Sequence, residues 1–221
     1  MPRPHEDLER HTAVDHRPGG LPIEFAKGSW FAIDVANVKA ERVEAGVSSY
    51  ETLIEKARTS SAKAGNAIVF RSDNKRRVVA LVQVGGHDAF RHVQAAWDDH
   101  HLESEHRAVA ESSTLALYQL AAVAGDASID PTAKDAYALE HVAVDPAHAA
   151  GVTSALAAAK GFRGVLIFGT ADATATTLIY RFERAEDLDA FRATPAAGNV
   201  LGKTGASGES FHFLRVEKTF V

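Results

Sequence analysis

The stretch AIVFRSDNKRRVVALVQV, residues 67–84, is matched without a gap by VLIFGTADATATTLIYRF, residues 165–182, at an offset of 98 positions. Each stretch has an apolar run, a polar turn and a second apolar run, which predicts a β-hairpin. The match places residue 68 on residue 166 and residue 82 on residue 180. An internal repeat of this kind predicts two halves with the same fold.

The segments before the two hairpins also match each other. FAIDVANV, residues 31–38, aligns with YALEHVAV, residues 137–144, at an offset of 106. The change from 106 to 98 gives the first half eight extra residues between its first and second strands. Apolar residues spaced by three or four over 40–62 predict a helix there, and its shorter counterpart is expected over 146–160.

The segments after the hairpins complete the pattern. A helix follows each hairpin, and final strands are expected at 113–123 and 210–220. Each half is therefore β-α-β-β-α-β, the ferredoxin-like pattern of an α+β fold. Because the strands are apolar on both faces, we expect the two sheets to pack sheet to sheet as an α/β barrel with the helices outside. The predicted domains are an N-terminal arm (1–28), a first half (29–124) and a second half (136–221).

Composition excludes several classes of protein. The sequence has no cysteine, so disulfide frameworks and thiolate metal sites are excluded. A formal charge of −5, evenly spread, argues against a nucleic-acid partner. No apolar run approaches the roughly 20 residues of a membrane-spanning helix, so we expect no membrane partner and a cytoplasmic location. His101 and Glu105 have a metal-ligand spacing but lack a third ligand, so no metal site is expected.

Two stretches carry a resemblance to a known family. They are VALVQVGGHDAFRHVQAAW (79–97) and LIYRFERAEDLDAF (178–191), each a strand followed by an acidic-capped helix with an aromatic residue. Histidines then follow in HVQAAWDDHHLESEH (92–106). The sequence resembles the dimeric α/β-barrel superfamily, and within it the antibiotic biosynthesis monooxygenase-like proteins, over about residues 29–221. The resemblance implies that one chain builds the barrel that most relatives build from two, as a monomer or a homodimer.

The resemblance implies a function more weakly than a fold, because one fold hosts many chemistries. It implies a cofactor-independent monooxygenase-like enzyme that removes a proton from an aromatic or polyketide-type substrate with a His/Asp pair. An isomerase, cyclase or dehydratase, or a non-catalytic ligand-binding protein, is an alternative on the same fold. A further alternative is a haem-binding or haem-degrading protein with haem as cofactor.

Alternation along the first strand indicates where a site would lie. Ala32, Asp34 and Ala36 share one side, which the resemblance implies is the helix-facing side that carries the pocket. Asp34 aligns with Glu140 in the second half. An acid inside an apolar strand is costly unless it is paired or neutralised, so two acids at equivalent positions suggest a role. The alternative is an edge strand whose acids reach solvent.

Side-chain volume favours the first half as the ligand site, because its third strand carries smaller residues than that of the second half. A small apolar or aromatic ligand is expected there. The predicted catalytic residues are Asp34, His100 and His101, and the alternative for the histidines is a solvated helix end. The predicted substrate-binding residues are Trp97, Ala80, Val82, Val84, Phe90 and Val93. The second-half candidates are Glu140, His148 and Tyr180.

Overall fold

A computed structural model of the chain describes residues 20–59, 64–99, 107–126, 128–142, 146, 156–194 and 211–221. The strands are β1 (Trp30–Val38), β2 (Ala67–Ser72), β3 (Arg77–Val84), β4 (Ala110–Gly125), β5 (Ala136–Val142), β6 (Phe162–Thr170), β7 (Thr176–Phe182) and β8 (Phe211–Phe220). The described helices of eight or more residues are α1 (Val43–Thr59), α2 (His87–Asp99) and α3 (Ala185–Arg192). None of the described helices is both long and apolar enough to cross a membrane.

The strand order is that of a ferredoxin-like sheet in each half. The first half has the order β4-β1-β3-β2, and the second half repeats it as β8-β5-β7-β6. The paired strands are antiparallel throughout, which confirms the predicted α+β fold of tandem ferredoxin-like repeats.

The two sheets are also joined along both edges, which the sequence pattern did not predict. The first part of β4 pairs with β1 and its last part pairs with β6, while β8 pairs with both β5 and β2. Both long strands therefore cross from one half to the other, and the sheet closes into a barrel. Closure removes the free strand edges that would otherwise be open to pairing.

The internal repeat is reproduced in the strand register. Ala67 pairs with Val82 in the first hairpin, and Val165 pairs with Tyr180 in the second, at the same offset of 98. The first strands follow the repeat as well, since Asp34 lies opposite Ala80 and Glu140 lies opposite Leu178. The alignment read from the sequence is thus the structural alignment.

The hairpin turns repeat the same chemistry. Ser72 donates a hydrogen bond to the Asn74 Oδ1 atom at 2.7 Å, and Thr170 donates one to the Asp172 Oδ1 atom at 2.6 Å. The next residue in each turn, Lys75 or Ala173, has a φ of 56°. This left-handed conformation is unfavourable for a residue with a Cβ atom. Polar side chains that bond the turn backbone hold it in place.

The apolar side chains form three layers, as the alternation along the strands predicts. One cluster lies between the first sheet and its helices and includes Tyr50 and Val82. A second fills the barrel interior and includes Phe31 and Phe168. The third lies between the second sheet and its helices. Asp34, Ala32 and Ala36 therefore face the helices of the first half, as predicted, rather than the barrel interior.

The described part of the predicted N-terminal arm packs against the barrel. Ile23 forms a two-way backbone pair with Ile129 of the segment that links the halves, and both side chains are buried in the interior cluster. The Thr219 hydroxyl donates a hydrogen bond to the Leu21 carbonyl at 2.7 Å. The linking segment is itself tied to β7, because the Arg181 Nε atom lies 2.6 Å from the Asp135 Oδ2 atom.

Candidate functional site

Asp34 occupies the middle of β1 on its helix-facing side. Its side chain is only 3% exposed, so β1 is not an edge whose acid reaches solvent. Its register partners are Ala80 on β3 and Leu115 on β4, and both have apolar side chains. A carboxyl group in such surroundings is costly to ionise unless hydrogen-bond donors reach it.

The helix α1 supplies a phenol to this carboxyl group. Tyr50 is fully buried on the apolar stripe of α1, and its hydroxyl interacts with Asp34. Burial raises the pKa of Asp34 from its ordinary value of 3.8 to about 6, although the neighbouring Tyr50 hydroxyl and backbone groups of Thr114 and Val35 oppose that rise. Burial, and then the nearby Asp34 carboxylate, raise the pKa of Tyr50 well above its usual range.

The pair has the properties of an acid–base group. A carboxyl group with a pKa of about 6 is largely ionised at pH 7, yet it is more basic than an ordinary aspartate. Its buried Oδ1 atom has no hydrogen-bond partner among the described residues. Asp34 can therefore accept a proton from a bound molecule, and the Tyr50 hydroxyl can stabilise the carboxylate before the transfer.

The predicted substrate-binding residues lie mainly in the same layer. Ala80, Val82, Val84 and Val93 are buried in one cluster with Tyr50, and Phe90 is half-buried against that cluster. Trp97 belongs to α2, but its side chain is outside the described part of the chain. Leu115 and Leu117 of β4 are half-exposed apolar residues of this layer, and sequence reasoning did not include them.

Sequence reasoning did not include Tyr50, the buried tyrosine beside Asp34, among the candidate site residues. The sequence placed it on the apolar stripe of a helix, where an aromatic residue is normally part of the core. A signal was nevertheless available, because Tyr50 is the one hydroxyl-bearing aromatic on that stripe and the opposite strand carries an acid. Its ring belongs to the same buried cluster as the small side chains of β3.

The second half contains the corresponding acid in a different arrangement. Glu140 is 2% exposed, and the Tyr180 hydroxyl donates a hydrogen bond to its Oε2 atom at 2.8 Å. Tyr180 comes from β7 and stands at the position that Val82 has in the first half. Glu140 and Tyr180 therefore meet, whereas the third second-half candidate, His148, lies outside the described residues.

The histidines contribute little to the described site. The predicted catalytic His100 and His101 lie outside the described residues. The two described histidines of α2, His87 and His92, are exposed, and the His87 ring packs edge-on against Trp30 at 4.9 Å. Within the described ranges, no group of three or more His, Cys, Asp or Glu side chains is arranged to hold a metal ion.

Comparison with known proteins was made by sequence and by structure. No protein-family model and no curated protein sequence matches this chain. Solved structures do match it. An anthrone oxidase-like protein superposes with a TM-score of 0.70 and 13% sequence identity, covering 90% of this chain and 95% of the other. The chain has the ferredoxin-like barrel fold of monooxygenase-like proteins. The predicted resemblance is thus confirmed for the fold.

Two further structures show how widely this fold is used. A predicted monooxygenase from Fusobacterium nucleatum subsp. nucleatum has a TM-score of 0.59 and 13% identity, covering 88% of this chain and 95% of the other. A chlorite dismutase variant from Candidatus Nitrospira defluvii, solved in complex with cyanide, has a TM-score of 0.54 and 13% identity over 87% of this chain and 92% of the other. At such identities the likeness establishes the fold and not the reaction.

Proposed function

We propose that this chain is a small-molecule enzyme that removes a proton from an aromatic or polyketide-type substrate, with the Asp34 carboxylate as the base. The observation that carries the proposal is the pairing of buried Asp34 with Tyr50 in an apolar layer between sheet and helices. Apolar walls with a few convergent polar groups are typical of small-molecule sites. His100 and His101, outside the described residues, stay predicted partners of Asp34.

The proposed reaction begins with a weakly acidic C–H or O–H group of the substrate. An aryl ketone with a ring CH₂ group, as in an anthrone, loses a proton to Asp34 and becomes an electron-rich enolate. The enolate carbon then forms a bond to dioxygen, and the proton held by Asp34 passes to the terminal oxygen, which gives a hydroperoxide and restores the carboxylate. Removal of the remaining proton from the same carbon breaks the O–O bond, so that the carbon becomes C=O, one oxygen atom stays in the product and the other leaves as hydroxide, which takes that proton and becomes water.

The same acid–base pair would serve an isomerase, cyclase or dehydratase if no oxygen were consumed. A general base is expected to contribute about 10²–10⁴-fold to the rate in any of these reactions. The likeness to an anthrone oxidase-like protein supports the oxygen-dependent reaction as the first to test.

The test uses anthrone as the probe, with substrate loss and oxygen consumption followed in the same cuvette. We expect equal molar consumption of anthrone and oxygen, and a rate about 10²–10⁴-fold lower for Asp34→Asn. Glu140→Gln is the matched control, because it removes the equivalent acid from the second half, and it should keep the wild-type rate. Equal rates for Asp34→Asn and wild type would rule out Asp34 as the base. Binding of anthrone without turnover would instead favour a non-catalytic ligand-binding protein.

Haem is the alternative cofactor. Haem ligation from a helix requires a histidine that faces the apolar layer, and the described helix histidines, His87 and His92, are exposed. The described residues therefore do not fit haem, and no step of the proposed reaction uses it. A Soret band in the purified protein, or one that forms on titration with haemin, would favour the haem-binding alternative.

We also propose that the functional unit needs one chain. The two sheets close the barrel within a single chain, so a second copy is not required to cover either sheet. Light scattering should therefore give a folded monomer at low concentration, although a homodimer is compatible with the barrel. Loss of folded structure whenever the mass falls to one chain would contradict this proposal.

A further inference from the structure

We propose that the turn between β2 and β3, together with the end of β1 and the start of β4, forms a second ligand site that binds a small oxyanion. A cavity of about 390 Å³ lies at this place. It is lined by Asn37 and Val38 of β1, Asn74 and Arg76 of the turn, Arg77 of β3, and Glu111 and Ser112 of β4. Asn37 lies three residues beyond Asp34 on β1, so the two side chains leave the strand on opposite sides. The site is therefore separate from the proposed catalytic residues.

Hydrogen bonds between side chains hold the wall of this cavity in place. The Arg77 Nε–H group donates to the Asn37 Oδ1 atom at 2.7 Å, and the Asn37 amide nitrogen donates to the Ser112 Oγ atom at 2.8 Å. In the turn, the Asn74 Oδ1 atom accepts hydrogen bonds from the Ser72 hydroxyl at 2.7 Å and from the Arg76 backbone N–H at 3.1 Å. Both amide oxygens of the lining are thus used as acceptors within the protein.

The lining retains a set of hydrogen-bond donors. The Asn74 side chain has its NH₂ group in addition to the engaged oxygen, and Ser112, whose oxygen accepts from Asn37, has a hydroxyl proton to donate. Arg76 adds an exposed guanidinium group. Glu111 is the one acidic side chain among the described lining residues, and the arginines outnumber it. A ligand that has acceptors and negative charge but no donors matches this lining, and phosphate and carboxylate groups both have that chemistry.

The second half shows that the turn does not need these donors to fold. The repeat aligns residues 74–77, NKRR, with residues 172–175, DATA. The Asp172 Oδ1 atom accepts the equivalent hydrogen bonds, from the Thr170 hydroxyl at 2.6 Å and from the Thr174 backbone N–H at 3.2 Å. The same turn therefore forms with a carboxylate and without arginine. The amide and the arginines of the first half add donors and positive charge that the turn itself does not require, which points to a ligand.

The decisive experiment compares three variants that each lower the charge of the turn by one and each copy the residue of the second half: Asn74→Asp, Lys75→Ala and Arg76→Thr. Inorganic phosphate is titrated into protein labelled with nitrogen-15, at fixed pH and ionic strength, and amide resonances are followed by NMR. In wild type we expect saturable shifts of the Asn74 side-chain amide and the Ser112 backbone amide. Asn74→Asp and Arg76→Thr should lower the affinity at least about tenfold, because each removes a donor to a charged group.

Lys75→Ala is the matched control. Lys75 lies in the same turn but is not among the described residues that line the cavity, so its loss should change the affinity by about twofold or less. An equal loss of affinity in all three variants would show that phosphate responds only to the overall charge of the turn, and it would overturn the proposal.

A parallel titration with malonate distinguishes the two sources of oxyanion. Tighter binding of phosphate assigns the site to a phosphate group and tighter binding of malonate assigns it to a carboxylate, whereas shifts that saturate with neither probe overturn the proposal. Glu111→Gln provides a test that leaves the turn intact. Because it removes the acidic side chain from the lining, it should increase the affinity about 2- to 5-fold. A lower affinity in Glu111→Gln would contradict an oxyanion site.

Discussion

The Tyr180 hydroxyl donates a hydrogen bond to the Glu140 Oε2 atom at 2.8 Å, and both side chains are buried between the sheet and the helices of the second half. The equivalent strand position in the first half is Val82, and there the phenol comes from Tyr50 on α1. Each half therefore has a buried carboxylic acid beside a tyrosine, Asp34 with Tyr50 and Glu140 with Tyr180, but the tyrosine comes from a helix in the first half and from a strand in the second. We interpret the second half as the structural copy of the site.

If the second half is a structural copy of the site, removal of the Tyr180 hydroxyl should lower stability without changing turnover. Tyr180→Phe removes the donor and leaves the buried Glu140 carboxyl without this hydrogen bond, which is expected to lower the free energy of unfolding by about 1–3 kcal/mol. Urea denaturation measures the loss. Because the second half does not carry the proposed chemistry, anthrone turnover should stay at the wild-type level. A large fall in turnover with unchanged stability would place the active site in the second half.

Asp34 predicts a pH-dependent stability. The folded-state pKa of about 6 lies above the ordinary value of 3.8, so the folded protein binds this proton more tightly than the unfolded chain. The tighter proton binding stabilises the folded state fully below about pH 4, and this stabilisation is lost as the pH rises through 6. The total loss in the free energy of unfolding is about 3 kcal/mol.

Asn at position 34 does not ionise, so this loss should be absent from the variant. We therefore compare the free energy of unfolding of Asp34→Asn with that of wild type at each pH. The variant should gain relative to wild type when the pH is raised from 4.5 to 7.5. Urea denaturation at the two pH values checks the sign, and Glu140→Gln shows how far the effect is specific to Asp34. If the free energy of unfolding of the variant, relative to that of wild type, were higher at pH 4.5 than at pH 7.5, a raised pKa of Asp34 would be contradicted.

Much of the fold could be predicted because the repeat is local in sequence. The hairpin register depends on alternation and turn position, and both can be read directly from residues 67–84 and 165–182. Closure of the barrel could not be read in this way. It depends on where β4 leaves β1 and joins β6, and the strand patterns carry no signal for a pairing partner so far away in the chain.

The positions of some candidate site residues could be predicted from the sequence. Asp34 was found because an acid in an apolar strand violates the pattern of its surroundings. Tyr50 fits the helical stripe as a core residue, so its position beside Asp34 appears only when the helix is placed over β1. Val82 was noted for its small volume, but the sequence could not show that a tyrosine from another element packs in the same cluster.

The hairpin turns predict that one substitution will increase stability. Ala173 is exposed and has a φ of 56°, a conformation that costs a residue with a Cβ atom about 1–2 kcal/mol. Ala173→Gly should recover about 1 kcal/mol of the free energy of unfolding, after the greater chain entropy of glycine is subtracted. Ala171→Gly, in the same turn but without a positive φ, is the control and should destabilise the protein. Thermal denaturation distinguishes the two, and equal effects would contradict the strain argument.

A final prediction converts the first half into a copy of the second. Tyr50→Leu removes the phenol from α1, and Val82→Tyr supplies one from β3, so the double variant holds Asp34 in the way that Glu140 is held. Val82→Tyr alone adds a ring to a packed layer and should cost about 1–3 kcal/mol, part of which the smaller Leu at position 50 recovers. The double variant should fold, by circular dichroism, and should lose anthrone binding in calorimetry, because the new ring covers the sheet surface beside Asp34. Tyr50→Leu alone should fold and retain binding. Wild-type affinity in the double variant would show that the ligand does not bind on the helix-facing side of the first sheet.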